Sequence, residues 1–161
     1  MDYDVTVRQL DQQEVVGIRT TATQDTIGEQ FASILPEVMG YLGEKGILPD
    51  GPPFARYFEF RPDFVDMEVG FPISSIHTGE PVAPDDQRIV SDELPECRAA
   101  VVEHRGSYQA IHGAYMAIEE WMKSSGEEAG GAPWEVYVVA MADTEDVDAL
   151  RTEIVQPLKA D

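Results

Sequence analysis

The chain has 161 residues, 43% of them hydrophobic, enough for a real apolar core. It carries 31 Asp and Glu against 11 Lys and Arg, a net charge of −20, which repels phosphates and anionic lipid and argues against direct nucleic-acid or membrane binding. No apolar run reaches the length of a membrane span, the start Met1-Asp2-Tyr3-Asp4 lacks a basic, apolar leader, and the single Cys97 has no internal partner, so a cytoplasmic protein is expected. The acidic excess would gather cations near any cleft; with only three lysines it equally suits a very salty cytoplasm, where salt screens such steering.

Along the chain, Val5 to Leu10 alternates as a strand, and Glu14 to Thr23 is β-branched and reads as a second. Ile27, Phe31, Ile34, Val38, Tyr41 and Leu42 recur at helical steps, predicting an amphipathic helix that stops near Gly46, with Pro36 as a kink or a late first turn. Phe54–Phe60 and Val65–Ile73 form an expected strand pair about Arg61-Pro62-Asp63, and Cys97–Arg105 is a further strand. Ser107 is placed to cap a second helix whose apolar face holds Tyr108, Ile111, Tyr115, Ile118 and Trp121, fraying at Ser124-Ser125-Gly126. Pro133 to Met141 reads as a strand, the acidic run Asp143–Asp148 as a solvated connection, and Thr152–Leu158 as the last strand.

Glu135 is the anomaly. Strand side chains alternate, so it shares a face with Tyr137 and Val139, while Trp134 points the other way, expected to pack against a helix. A carboxylate among apolar neighbours is costly to bury unless something pairs with it. Either its face is solvated, or it meets a cation, a donor or a proton transfer.

The halves repeat. Adding 80 carries Pro53-Phe54-Ala55-Arg56-Tyr57 onto Pro133-Trp134-Glu135-Val136-Tyr137, Val38 onto Ile118, and Gly46 onto Gly126. This predicts one α+β domain over 1–161, a tandem pair of strand–helix–strand–strand modules (about 3–80 and 85–159) with pseudo-twofold symmetry, antiparallel sheet and a central cleft. Such an interface is a favoured binding place. Glu135 matches Ala55, so one half alone supplies the carboxylate, whereas Tyr57 and Tyr137 match each other. Phe71 and Met67 share a face of their strand and are added as candidate cleft residues; Tyr41, Tyr108, Tyr115 and Trp121 are assigned to the core.

Three histidines, His77, His104 and His112, have no metal-ligand spacing, and His104 is read as structural. No metal or cofactor is expected, and no serine shows a nucleophile-elbow context.

Leu94-Pro95, Ala99–Tyr108, the helix through Trp121 to Gly126, Pro133-Trp134-Glu135-Val136-Tyr137 and Ile154-Val155-Gln156-Pro157-Leu158, in this order and spacing, resemble the GyrI-like family. That family includes effector-binding domains of bacterial multidrug-responsive transcription activators and stand-alone small-molecule-binding proteins. The resemblance implies paired SHS2-type modules about a cleft, binding of amphipathic, aromatic or cationic compounds, and Glu135 as the acidic ligand contact. With the repeat using residues from about 5 to 158, no room is expected for a DNA-binding helix-turn-helix domain. A stand-alone binder is the leading expectation, with Glu135, Tyr137, Tyr57, Phe71 and Met67 as ligand-binding residues. Two alternatives are a hydrolase of strained electrophiles, with Glu135 as acid/base and Tyr137 as hydroxyl donor, and an acidic gyrase-modulator-like protein acting on a separate protein partner.

Overall fold

The computed structural model describes residues 3–74, 89–140 and 143–160. In chain order the elements are β1 (Thr6–Leu10), β2 (Gln13–Ala22), α1 (Ile27–Glu44), β3 (Phe54–Arg61), β4 (Phe64–Pro72), β5 (Ile89–Leu94), β6 (Cys97–Arg105), α2 (His112–Ser125), β7 (Trp134–Val139) and β8 (Arg151–Pro157). The class is α+β, with every described strand pairing antiparallel. Among the described residues no helix is long and apolar enough to cross a membrane.

Two compact units are present: Gln12–Pro95, and Met1–Asp11 together with Glu96–Asp161. In the Gln12–Pro95 unit the strands run β3-β4-β2-β5, with α1 against β2 and β4. Thr23 N–H donates to Thr26 Oγ1 (3.0 Å) just before α1, and the chain leaves it through Gly46 at φ 70°, a left-handed conformation that glycine adopts without a Cβ penalty. The helix continues through Pro36 instead of starting late there. Its stripe Ile34, Val38, Tyr41 and Leu42 is buried, matching the apolar sheet face of Val16, Ile18, Val69, Met67, Ala55 and Tyr57. The opposite face carries the cross-strand row Arg19–Glu68–Arg56.

In the other unit the order is β1-β6-β8-β7, with α2 against β6 and β8. Here β1, counted from sequence within the first module, pairs with β6 of the second, Thr6 opposite Val101 and Leu10 opposite Cys97. Ala100, Val102 and Ile154 pack against Ala114 and Ile118 of α2. Ser107 caps not α2 itself but a short 3₁₀ turn, Tyr108–Ala110, that leads into it; its Oγ accepts from Gln109 N–H at 3.1 Å. Gly126 closes α2 at φ 71°, and Glu127 N–H returns to Met122 O at 2.9 Å.

β5 was absent from the expected elements. Its residues 91–93 are exposed while its ends, Ile89 and Leu94, are buried, and it pairs with β2, Val15 opposite Asp92 and Gly17 opposite Val90.

Candidate functional site

Register fixes what surrounds Glu135. Residues opposite one another in an antiparallel ladder share a sheet face. Val102, Ile154 and Glu135 form one such row, and His104, Thr152 and Tyr137 form the next. Because Val102 and Ile154 lie under α2, Glu135 points to the helix-covered side. Trp134, aligned with Val155 and Val101, is buried on the face away from α2, so the helix packing expected for it is corrected: the carboxylate, not the indole, meets the helix side.

Glu135 is only 7% exposed. Tyr137 on its own strand donates an O–H to Oε1 at 2.7 Å, and Tyr115 of α2 donates to Oε2. Tyr108, at the turn before α2, stands edge-on to the Tyr137 ring, centroids 5.9 Å apart at 88°. Tyr115 and Tyr108 had been assigned to the core. The signal that would have found them is chemical: a phenol on a buried helix stripe needs an acceptor, and this unit's strands offer Glu135.

Burial pushes the Glu135 carboxyl above its ordinary value; the two phenol hydrogen bonds and the positive charge available to His104 pull back against it. No Lys or Arg is paired with Glu135 among the described residues. A buried carboxyl with neutral donors can hold a proton, hand one over, or accept a cation.

His104 is fully buried. Its Nε2 lies 2.8 Å from Ser107 O, and since a carbonyl only accepts, Nε2 carries the hydrogen. In the neutral ring Nδ1 therefore accepts from Tyr3 Oη at 2.9 Å. Its neighbour Thr152 is fully buried as well, and among the described residues its Oγ1 has no hydrogen-bond partner.

The structure thus brings Glu135 and Tyr137 into contact. Tyr57, Met67 and Phe71 belong to the Gln12–Pro95 unit, all buried, with Tyr57 opposite Met67 and Phe71 on the same strand face as Met67. The ligand roles expected for these three rest on the sequence. His77 lies outside the described residues. Among the described residues no cluster of three or more His, Cys, Asp or Glu is arranged to hold a metal.

A second buried carboxyl, Glu68, went unnoticed in the sequence. It is 2% exposed, and burial together with a hydrogen bond to Asp92 pushes it up to about 8. A surface hollow of about 820 Å³ near Met122, Glu127, Glu128 and Lys159 is wide open and does not include Glu135; its Glu127 is paired with Arg98 and its Glu128 with Lys159.

Comparison with solved structures shows the fold. The EcmrR C-terminal domain aligns at TM-score 0.85 and 18% identity over 100% of both chains. EcmrR in its DNA complex aligns at 0.84 and 18%, covering 99% of this chain and 58% of that one, so this chain spans little more than half of the length of that one. SAV2435 bound to tetraphenylphosphonium aligns at 0.60 and 13% identity, covering 99% and 95%; a hydrolase from Listeria innocua encoded by lin2189 aligns at 0.64 and 9%, covering 96% and 91%. No functionally curated protein matches in sequence. Residues 3–159 match the GyrI-like small molecule binding domain, and the chain belongs to that family.

Proposed function

We propose that the ligand is an amphipathic or aromatic organic cation and that Glu135 is its polar anchor. The observation that carries this reading is a buried carboxyl held by two phenols and, among the described residues, paired with no Lys or Arg. Ionising it in place leaves an anion that no Lys or Arg among the described residues neutralises; a bound cation supplies that charge, and the faces of Tyr108, Tyr115 and Tyr137 add cation–π attraction. The net charge of −20 draws cations toward the molecule at low salt. SAV2435, similar in fold, has been solved with tetraphenylphosphonium, a cation of this kind.

The test is displacement of a fluorescent lipophilic cation by tetraphenylphosphonium from the wild type and from Glu135→Gln. Tight binding by the wild type, weakened more than tenfold in the variant, supports the reading; equal binding, or none by the wild type, ends it.

One observation favours a second reading. A carboxyl raised above its ordinary value and hydrogen-bonded to the Tyr137 hydroxyl is a proton-transfer pair suited to hydrolysis of an electrophile. In that case Glu135→Gln abolishes turnover while substrate affinity persists.

A further inference from the structure

Thr152 is the polar side chain that the contacts around Glu135 leave unexplained. It sits in β8 between His104 and Tyr137, sharing their sheet face, and is 0% exposed. Both neighbours are satisfied: His104 by Tyr3 and Ser107, Tyr137 by Glu135. Among the described residues the Thr152 Oγ1 has no partner.

A buried hydroxyl with nothing to bond loses its water without compensation. Valine has the same shape and lacks that cost, and the strand places Val155 and Ile154 close by without difficulty. Position also matters. Thr152 is the diagonal neighbour of Glu135, which pairs with Ile154, and such diagonals bring Cα atoms to about 7–8 Å, within the span of one small molecule.

We propose that the Thr152 hydroxyl is a ligand contact: it hydrogen-bonds an oxygen or nitrogen carried a few bonds from the cationic centre, and so decides which cations the site prefers. This rests on the reading of Glu135 as the cation's anchor. The favoured ligand class becomes an aromatic cation bearing a hydrogen-bond acceptor beside its charge, in preference to an all-hydrocarbon one of equal size.

Two matched probes isolate the contact: methoxymethyltriphenylphosphonium and n-propyltriphenylphosphonium, which differ by one ether oxygen in place of a methylene. Wild type should favour the ether by about three- to tenfold, the range of one net hydrogen bond. Thr152→Val should bind the propyl probe as wild type does and lose or reverse the preference, since the ether oxygen is then buried unpaired. Thr152→Ser should keep the preference. Thermal unfolding supplies a readout that a merely structural hydroxyl would not give: Thr152→Val should unfold at the same temperature or higher.

Equal binding of the two probes by wild type, or a preference that survives Thr152→Val, overturns the proposal. So does a Thr152→Val protein that loses stability with its preference intact, which identifies the hydroxyl as the holder of a structural water. If both probes bind and Glu135→Gln weakens both without any ether preference, only the Thr152 contact falls. If wild type binds neither probe, the cation reading of Glu135 falls and Thr152 falls with it.

Discussion

Replacing Glu135 with Gln keeps the volume and much of the hydrogen bonding, because the amide oxygen still accepts from one phenol and its NH₂ can face the other phenol's oxygen. What is lost is the charge. Truncating one partner of a desolvated charge pair costs about 2–5 kcal/mol, and the two phenols that already stabilise this carboxylate place the effect near the lower end. About 2–3 kcal/mol is a loss of roughly thirty- to 150-fold in affinity for tetraphenylphosphonium. The pH dependence gives an independent reading. Burial raises the Glu135 pKa, so below that raised value the free protein must lose a proton to receive a permanent cation, and affinity should fall about tenfold per pH unit. Titration calorimetry as a function of pH should show affinity falling toward acid in wild type, a flat profile in Glu135→Gln, and no slope in either for neutral triphenylphosphine oxide. Folding stability should move the other way. A raised folded-state pKa contributes stability below the unfolded value that is lost as pH rises, so Glu135→Gln should gain on the wild type as the solution becomes more alkaline. Tetraphenylphosphonium affinity in Glu135→Gln within threefold of wild type, or a pH-independent wild type, refutes the reasoning.

The remaining predictions concern the supports of this site and the second buried carboxyl. Tyr115→Phe and Tyr137→Phe each remove a donor that lowers the Glu135 pKa, so each should move the midpoint of the affinity–pH profile upward, read from the same calorimetry. Glu68 is pushed up to about 8 from an unfolded value near 4.5, so its contribution is complete below about 4.5 and disappears as pH rises through about 8. Urea unfolding across that window should show stability falling by on the order of 1 kcal/mol per pH unit, and Glu68→Gln should flatten the fall. Gly70 lies opposite Gly17, and a Cβ there would fall 2.0 Å from Val16 O, so Gly70→Ala should cost about 3 kcal/mol or more in chemical unfolding.

Elements whose side chains carry a period were legible in the sequence. The Ile34–Val38–Tyr41 stripe of α1, the alternation of β4 and the β-branched run of β6 are each written in local pattern, and the structure places them within a residue or two. β5 was not legible because Ser91-Asp92-Glu93 presents polar side chains to solvent while its backbone does the pairing. Nor was the partner of β1, since alternation says nothing about which strand lies alongside. The Trp134 error has a related cause. Both Trp134 and Glu135 are buried, so both faces of β7 are covered and hydrophobicity cannot say which one meets the helix. Glu135 and Tyr137 were found because a carboxylate in an apolar strand breaks the pattern. Tyr115 and Thr152 obey their local patterns, and only the register of β8 and the docking of α2 show what they face.

The surroundings of the two buried carboxyls differ in the charge they supply. Glu68 lies between Arg19 and Arg56 across the ladder, and its hydrogen bond to Asp92 lets one proton serve two carboxyls. Arg19 is itself held by Asp66 at 3.0 and 2.9 Å and stacks over Phe58 at 4.0 Å. Positive and negative charge are both supplied from within that unit, so an arriving cation gains little there and an arriving anion meets acidic side chains. Glu135 differs in kind. Its donors are neutral phenols and, among the described residues, no Lys or Arg is paired with it; beyond the contribution of nearby His104, a positive charge that would balance it has to be brought in. An electrostatically complete cluster stabilises or titrates; an incomplete one binds. That contrast supports the proposal of Glu135, not Glu68, as the ligand's anchor, under which charge reversal at Glu68 should leave tetraphenylphosphonium affinity untouched wherever the protein stays folded.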